Sequence, residues 1–469
     1  MTRVPCGMTL VVGLGLSGHA ICRHLARLDV PFMVADTREA PPRLEAFRQA
    51  HPEVFVHCGA LAELDLSQAE EVVLSPGVDP RAPGLAALAG TRNSVTGGPR
   101  VVGEIALFSR AVRAPVAAIT GSNAKSTVTT LLGEMAAEAG VKVAVGGNLG
   151  TPALDLLAAE PDAELYVLEL SSFQLETTPC LNAECAAFLN ICEDHLDRHG
   201  DIVAYCAAKQ RVFYGANQAV VNADDPHTWP ATQASLAASR VVRFTTQTPA
   251  GADWGLAEHD GEAWLMQGET PWLAAGELQM AGQHNQQNAL AALAMGQALG
   301  VDAAAMRAVL RRFSGLAHRS ETVARINGVI WVNDSKGTNV GATLAAVNGL
   351  GPTLSGKLIV LAGGVGKGAD FTPLAAPLAA YARCVMLFGA DGKRIAQALD
   401  GQVPIQYFAN LVDATRAAAA IATPGDGVLL SPACASLDQF ADYQARGEAF
   451  CDLVKGIARA RGKAGEATP

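Results

Sequence analysis

A three-domain α/β chain with mostly parallel sheets is the fold this sequence predicts, and three observations predict it. Its 469 residues exceed what one hydrophobic core organises, since domains run to roughly 100–200 residues. Short β-branched runs recur, each followed by a polar or Gly-rich turn and then an Ala/Leu-rich stretch. That alternation covers a parallel sheet with helices on both faces. Half of the residues are apolar, 17% are charged and 5% are aromatic, so the cores are built from Ala, Val and Leu, and disorder is excluded for most of the chain. In such sheets ligands bind beyond the carboxyl ends of the strands, which is where the chemistry is sought.

Forty-five acids against 35 Lys and Arg give a formal charge of -10, which repels phosphate backbones and argues against general nucleic-acid binding. No apolar run approaches the roughly 18 residues that span a bilayer. The first strand-like run begins within about a dozen residues, leaving no room for a secretory leader. A cytoplasmic protein without membrane insertion is expected. The ten cysteines include no C-x-x-C pair and are expected to be mostly buried small apolar groups, with neither disulfides nor a zinc knuckle. The tail 461–469 is expected to fray.

The run 9–12 ends at Gly13-Leu14-Gly15-Leu16-Ser17-Gly18, and a second run, 32–35, ends at Asp36-Thr37-Arg38. Taken alone this is a dinucleotide fingerprint: the glycines admit a pyrophosphate at a helix N-terminus, and Asp36 lies at the spacing of a ribose contact. A glycine turn that serves only helix-on-sheet packing is the alternative. Leu74-Ser75-Pro76-Gly77 brings another tight turn to the same edge. A domain break falls near Gly103.

Next, the run 115–119 enters Thr120-Gly121-Ser122-Asn123-Ala124-Lys125-Ser126-Thr127, ahead of a helix predicted over 126–139. Backbone N–H groups in such a loop cradle phosphates, Lys125 neutralises the outer ones, and Ser126 or Thr127 reaches Mg²⁺. The match to the strict phosphate-loop pattern is incomplete, because Ile119 and Ala124 occupy its glycine positions. Glu169 then interrupts the run 166–170 before Ser171-Ser172-Phe173-Gln174, and the run 186–191 leads into Glu193-Asp194-His195-Leu196-Asp197. A carboxylate or imidazole beside triphosphate oxygens suits a divalent cation; for the acidic loop, a solvated charge cluster is the alternative. On a helix predicted over 201–213, Ile202, Cys206 and Phe213 share a face, and Lys209 falls inside that stripe. Such a lysine is ion-paired, chemically modified, or snorkelling past the helix edge.

A second break falls near Gly315. Beyond it, three runs end in polar turns: 329–332 before Asn333-Asp334-Ser335-Lys336-Gly337-Thr338-Asn339, 357–362 before Gly363-Gly364-Val365-Gly366-Lys367-Gly368, and Gly427–Leu430 before Ser431-Pro432-Ala433-Cys434-Ala435-Ser436. On one sheet these turns form a single polar rim suited to a small anion. Cys434, with no His near it in sequence, reads as a packed small residue.

Taken together, the 120–127 loop, Leu168-Glu169-Leu170-Ser171-Ser172-Phe173-Gln174, Glu193-Asp194-His195-Leu196-Asp197, Gly282-Gln283-His284-Asn285, Asn288, His318-Arg319, Asn333-Asp334-Ser335-Lys336 and the segment 431–440 resemble the Mur ligase family over about 11–450. The closest likeness is to members that add D-glutamate. The resemblance implies a Rossmann-like UDP-substrate domain over 1–103, a central P-loop-type ATP-binding domain over 104–315, and a Rossmann-like domain over 316–469 that binds the amino acid and completes the ATP site. It further implies a monomeric, ATP-dependent ligase of bacterial wall synthesis. ATP would phosphorylate the carboxylate of UDP-N-acetylmuramoyl-L-alanine, and the amine of glutamate would attack the acyl phosphate.

By position, the resemblance puts ATP on Gly121, Ser122, Asn123, Ala124, Lys125, Ser126, Thr127, Asn285, Asn288, Arg319, Asp334 and Lys336. Two Mg²⁺ ions, with Mn²⁺ as a substitute, fall to Ser126, Glu169, His195 and a carbamylated Lys209. The UDP-substrate falls to Leu16, Ser17, Asp36, Thr37, Arg38, Gly77, Asn148, Ser171 and Gln174, and glutamate to Thr338, Lys367, Ser436, Leu437 and Tyr443. Lys125, His195, Lys209 and Lys336 are the expected catalytic set. Ala124 stands where the family has Gly, adding a methyl group near the phosphates and penalising positive φ; Gly337 reads as merely tolerable. Three competing readings remain: another amino-acid ligase of the same superfamily; a nicotinamide-dependent dehydrogenase or NAD-sensing ATP-binding regulator resting on Gly13 to Asp36, which predicts NADH binding; and a degenerate paralogue that keeps the fold without turnover, which Ala124 makes conceivable.

Overall fold

The computed structural model describes residues 2–231, 236–280 and 282–465. The chain divides into two compact units: Met1–Asn190 with Cys206–Ala274 and Asn288–Leu310, and Ile191–Tyr205 with Ala275–Gln287 and Arg311–Pro469.

The first unit holds two large sheets. In one, β1 (Thr9–Val12), β2 (Phe32–Asp36), β3 (Val56–Cys58), β4 (Glu71–Leu74) and β5 (Val101–Gly103) lie in the order β3-β2-β1-β4-β5, parallel throughout. Leu10, Val12, Met33, Ala35, Val72 and Leu74 pack one core beside it. The strand order reverses between β1 and β4, opening the crevice where α/β sheets take their ligands.

The other sheet has nine strands: β6 (Val116–Thr120), β7 (Val143–Gly147), β8 (Leu165–Glu169), β9 (Cys185–Phe188), β10 (Ala216–Asn222), β11 (Leu236–Phe244), β12 (Trp254–His259), β13 (Glu262–Gln267) and β14 (Thr270–Ala274). Their order is β14-β13-β12-β11-β10-β9-β6-β8-β7. The strands from β7 to β12 in that order pair in parallel, whereas β12, β13 and β14 form an antiparallel meander. The meander has no counterpart in the sequence reading. The central β6 and β8 are buried along their whole length, as unbroken apolar runs in parallel sheets must be.

In the second unit, β15 (Glu321–Ile326), β16 (Val329–Asn333), β17 (Leu358–Gly363), β18 (Ala382–Phe388), β19 (Ile405–Tyr407) and β20 (Gly427–Leu430) form the sheet β15-β16-β20-β17-β18-β19. Only the β15–β16 pair is antiparallel. Alternate residues enter opposite cores: Ile330 and Val332 on one face, Val329 and Trp331 on the other. Because β20 lies between β16 and β17, the three polar turns expected to form one rim are neighbours.

Two details differ from expectation. The helix predicted over 201–213 is α-helical only over Ile202–Gln210 and tightens to 3₁₀ over Arg211–Phe213, a common ending because i→i+3 bonds satisfy the last carbonyls. The terminal helix runs Tyr443–Gly465, so the expected fraying does not begin at 461; residues 466–469 lie outside those described. Among the described residues no helix is long and apolar enough to cross a membrane.

Candidate functional site

The first site grows from the turn after β1. Gly13 has φ +97°, and a Cβ there would lie 2.9 Å from Ser75; the Ser75 hydroxyl donates to the Gly13 carbonyl at 2.8 Å. A Cβ on Gly18 would collide with that carbonyl, so only glycine lets the helix Leu16–Arg27 start so close to the strand. Around this turn, Leu16, Ser17, Asp36, Thr37, Arg38, Gly77, Asn148 and Gln174 line one cavity of about 580 Å³, together with Gly147, Gly150 and Pro152. Ser171 stands behind Gln174: it caps the short helix Ser172–Glu176 in a capping box, its hydroxyl accepting from the Gln174 N–H.

Asp36 is 2% exposed and saturated. Its Oδ1 accepts from the Arg38 N–H (2.9 Å) and Nε (2.8 Å), and its Oδ2 accepts from the Leu14 N–H (2.7 Å) and Arg38 Nη2 (2.7 Å). A carboxylate has about four lone-pair sites, and all are taken. Burial alone would raise its pKa, but the hydrogen bonds from Arg38 and Leu14 outweigh burial and hold it below the usual carboxylate value. Asp36 therefore shapes the cavity wall and aims Arg38 instead of offering an acceptor to a ribose, which removes the feature on which a dinucleotide reading leans.

The loop 121–124 follows β6. Ala124 adopts φ +67°, ψ -12° at the N-cap of the helix Lys125–Glu138, the conformation for which glycine is favoured. Lys125 Nζ donates to the carbonyls of Gly121 (2.8 Å) and Ser122 (2.9 Å). Ser126 and Thr127 are buried in the first helical turn. Glu169, 2% exposed, ends β8 next to β6 in the register Glu169↔Ile119, and its Oε1 accepts from Asn148 Nδ2 at 2.6 Å. Lys209 is 1% exposed, and its Nζ donates to the Gly121 carbonyl at 2.8 Å. Its ammonium is thus buried beside the loop, and snorkelling does not describe it.

The loop hydroxyls and the Glu169 carboxylate at the end of neighbouring β8 are the hard oxygen donors that Mg²⁺ takes, and that ion needs only one or two carboxylates beside phosphate oxygens. Among the described residues no three His, Cys, Asp or Glu side chains gather as a cation cage.

In the second unit, Asp194 is the hub of the acidic loop. It pairs with Lys367 and accepts from Asn339 Nδ2 (3.1 Å) and the His195 N–H (2.9 Å). Burial pushes its pKa up, but the Lys367 and His195 charges and the hydrogen bonds from Lys367 and Asn339 outweigh that and hold it at about 2. His195 is left-handed, φ +54°, at the start of the helix Leu196–His199, its ring 6.2 Å from that of Tyr205.

Across the rim, Asp334 accepts from the Ser431 hydroxyl (2.7 Å) and the Ser320 N–H (3.1 Å). Burial pushes its pKa up to about 6 despite those bonds and the charges of Arg319 and Arg446. Lys336 Nζ lies 3.8 Å from the centre of the Tyr443 ring, a cation–π contact. The Thr338 N–H donates to the Lys336 carbonyl; Ser436 is buried and Leu437 is 71% exposed. Asn285 and Asn288 stand one turn apart on the helix Gln283–Ala298. Gly337 is more than tolerable, because a Cβ there would lie 2.5 Å from Asp334 Oδ2 and 2.8 Å from Ser431 Oγ.

Sequence reasoning missed three residues that hold these sites in shape. Asn190 brackets the phosphate loop: its Oδ1 accepts from the Asn123 N–H (2.8 Å) and its Nδ2 donates to the Asn123 carbonyl (3.3 Å). Its place two residues beyond β9, level with the loop after neighbouring β6, was the available signal. Asp194 was read only as part of an acidic cluster, and Arg446 carried no signal beyond its charge.

Three family models match: "Mur ligase MurD-like, N-terminal domain" over 7–97, "Mur ligase middle domain" over 119–296, and "Mur ligase, glutamate ligase domain" over 318–434. The chain is 62% identical over 450 residues to the UDP-N-acetylmuramoylalanine--D-glutamate ligase of Chromohalobacter salexigens, covering 96% of this chain and 97% of that one. It is 52% identical to the enzyme of the same name from Pseudomonas aeruginosa, covering 96% and 98%. Among solved structures, the UDP-N-acetylmuramate-alanine ligase of Thermotoga maritima matches with a TM-score of 0.59 at 16% identity, covering 96% of this chain and 99% of that one. A bifunctional folylpolyglutamate synthase/dihydrofolate synthase with Mn, AMPPNP and L-glutamate bound matches with a TM-score of 0.57 at 19% identity, covering 75% and 92%. Both structural likenesses speak to the fold.

Proposed function

The chain belongs to the Mur ligase family, and from that premise we propose that it joins D-glutamate to UDP-N-acetylmuramoyl-L-alanine, consuming ATP. The observation that carries this reading is the cavity beyond β1 and β4, where eight of the nine residues assigned to the UDP-substrate line one space. Arg38, aimed by a saturated Asp36, suits a diphosphate there.

The reaction proceeds by transfer of the γ-phosphoryl group to the substrate carboxylate. The glutamate amine then attacks the acyl phosphate, releasing the amide, ADP and phosphate. Phosphoryl transfer depends on positioning and on neutralising developing charge, which is the work assigned to Lys125 and the loop N–H groups. Bound Mg²⁺, two ions in this reading and replaceable by Mn²⁺, would neutralise charge on the transferred phosphoryl group and fall to Ser126, Glu169, His195 and a carbamylated Lys209. Asn285, Asn288, Arg319, Asp334 and Lys336 serve ATP; Thr338, Lys367, Ser436, Leu437 and Tyr443 serve glutamate. The enzyme acts as a cytoplasmic monomer.

Phosphate release assayed with UDP-N-acetylmuramoyl-L-alanine and a panel of amino acids tests the proposal. Release that requires both the nucleotide-sugar and D-glutamate is expected. Preference for another amino acid, or NADH binding in the first unit, would overturn it.

A further inference from the structure

We propose that Arg446 is a positioning residue whose buried guanidinium locks the turn bearing Lys336 against the turn bearing Ser436. The inference rests on the ligase reading above. Arg446 lies in the first turn of the helix Tyr443–Gly465 and has 0% exposure. Its Nε donates to Ser335 Oγ (3.0 Å), its Nη2 to the Ser335 carbonyl (2.8 Å), and its Nη1 to the Cys434 carbonyl (3.1 Å). One side chain therefore ties two strand-end turns that the sequence separates by about a hundred residues. Lys336 follows Ser335 directly, and Ser436 stands two residues beyond Cys434, so a shift of either anchor moves a residue of the rim.

The acceptors are two carbonyls and a hydroxyl; among the described residues no carboxylate lies within hydrogen-bond reach of the guanidinium. Burying a cation without a carboxylate partner is costly. Burial draws its pKa down to about 10, with Cys434, Asp438 and Asp334 opposing the fall, and it stays charged at neutral pH. A planar fork with donors on three nitrogens spans both turns as no other side chain can. The same helical turn grips the segment a second time: the Tyr443 carbonyl accepts from Ser335 Oγ (2.8 Å), and its ring takes the Lys336 ammonium. Arg446 touches no assigned substrate contact directly and acts through both turns at once.

The test compares Arg446→Met, which keeps the stem and removes the fork, with Arg446→Lys, which keeps the charge. Steady-state kinetics for each of the three substrates are measured together with calorimetric binding of UDP. We expect kcat/KM for ATP and for glutamate to fall about 50-fold in Arg446→Met and about tenfold in Arg446→Lys, with KM for the nucleotide-sugar and the affinity for UDP unchanged. Should Arg446→Met fail to fold, Arg446→Lys carries the test alone. Unchanged kinetics in the folded variants, or equal losses for all three substrates, overturns the inference. Absence of turnover in the unaltered chain overturns the ligase reading and this inference with it, which separates the two failures.

Discussion

Replacing Ala124 with Gly removes one methyl group from the loop proposed to bind phosphate, and the left-handed backbone there gives the expected sign of the outcome. Ala124 is held at φ +67°, ψ -12°, where a Cβ costs roughly 1–2 kcal/mol that glycine does not incur. Glycine returns part of this through the greater freedom of the unfolded chain, about 0.4–1 kcal/mol. The balance is a stabilisation of about 0.5–1 kcal/mol, and each 1 kcal/mol corresponds to roughly 2–4 °C in a domain of 150–250 residues. Differential scanning calorimetry of the full chain measures the shift, and phosphate release at limiting ATP measures the function. We expect the transition of the first unit to rise and, on the proposed ATP site, turnover at low ATP to be equal or better once the methyl group is gone. A lower transition temperature, or a large loss of turnover, would refute both the left-handed assignment and the use of this loop for phosphate.

Lys209→Ala should reduce phosphate release by at least about 100-fold, with partial recovery on adding a short carboxylic acid that replaces the proposed carbamate; full activity in the variant would count against that role. Lys367→Met leaves Asp194 buried without its ammonium partner, and we expect a loss of about 3–5 kcal/mol in the second unit, read by urea unfolding. The pH dependence follows from the sign of the shift. Asp194 is held at about 2 against 3.8, so its stabilisation is present above pH 3.8 and is lost as pH falls towards 2. The acid-unfolding midpoint should therefore move upward in Lys367→Met, and an unmoved midpoint would show that the pair contributes nothing.

The features legible in the sequence are those whose physics is local. Gly13 and Gly18 announce a strand passing into a helix, and the structure shows the collision each avoids. Lys209 could be singled out because 3.6-residue periodicity places it on the face of Ile202, Cys206 and Phe213, but that pattern left snorkelling open; burial is fixed by what packs opposite, where Lys209 and Phe213 are buried and Ile202 and Cys206 only half-buried. Strand ends were found within a few residues because apolar runs stop where burial stops. The features that were not legible depend on which strands become neighbours. Asn190 reaches Asn123 only because β9 lies beside β6, and Arg446 spans its two turns only because β20 pairs directly with β16. The antiparallel meander β12–β14 escaped notice because its strands carry mixed polarity, and edge strands with a wet face give a weaker pattern than buried ones.

Asp36 has a consequence for ligand chemistry. With its lone pairs spent on Arg38 and Leu14, it has none to spare for the hydroxyls of a guest, so on the proposed reading a uridine inhibitor should lose nothing at this carboxylate when its 2′-oxygen is deleted. Compounds aimed at this cleft gain more from an anion facing the guanidinium than from a donor offered to the acid.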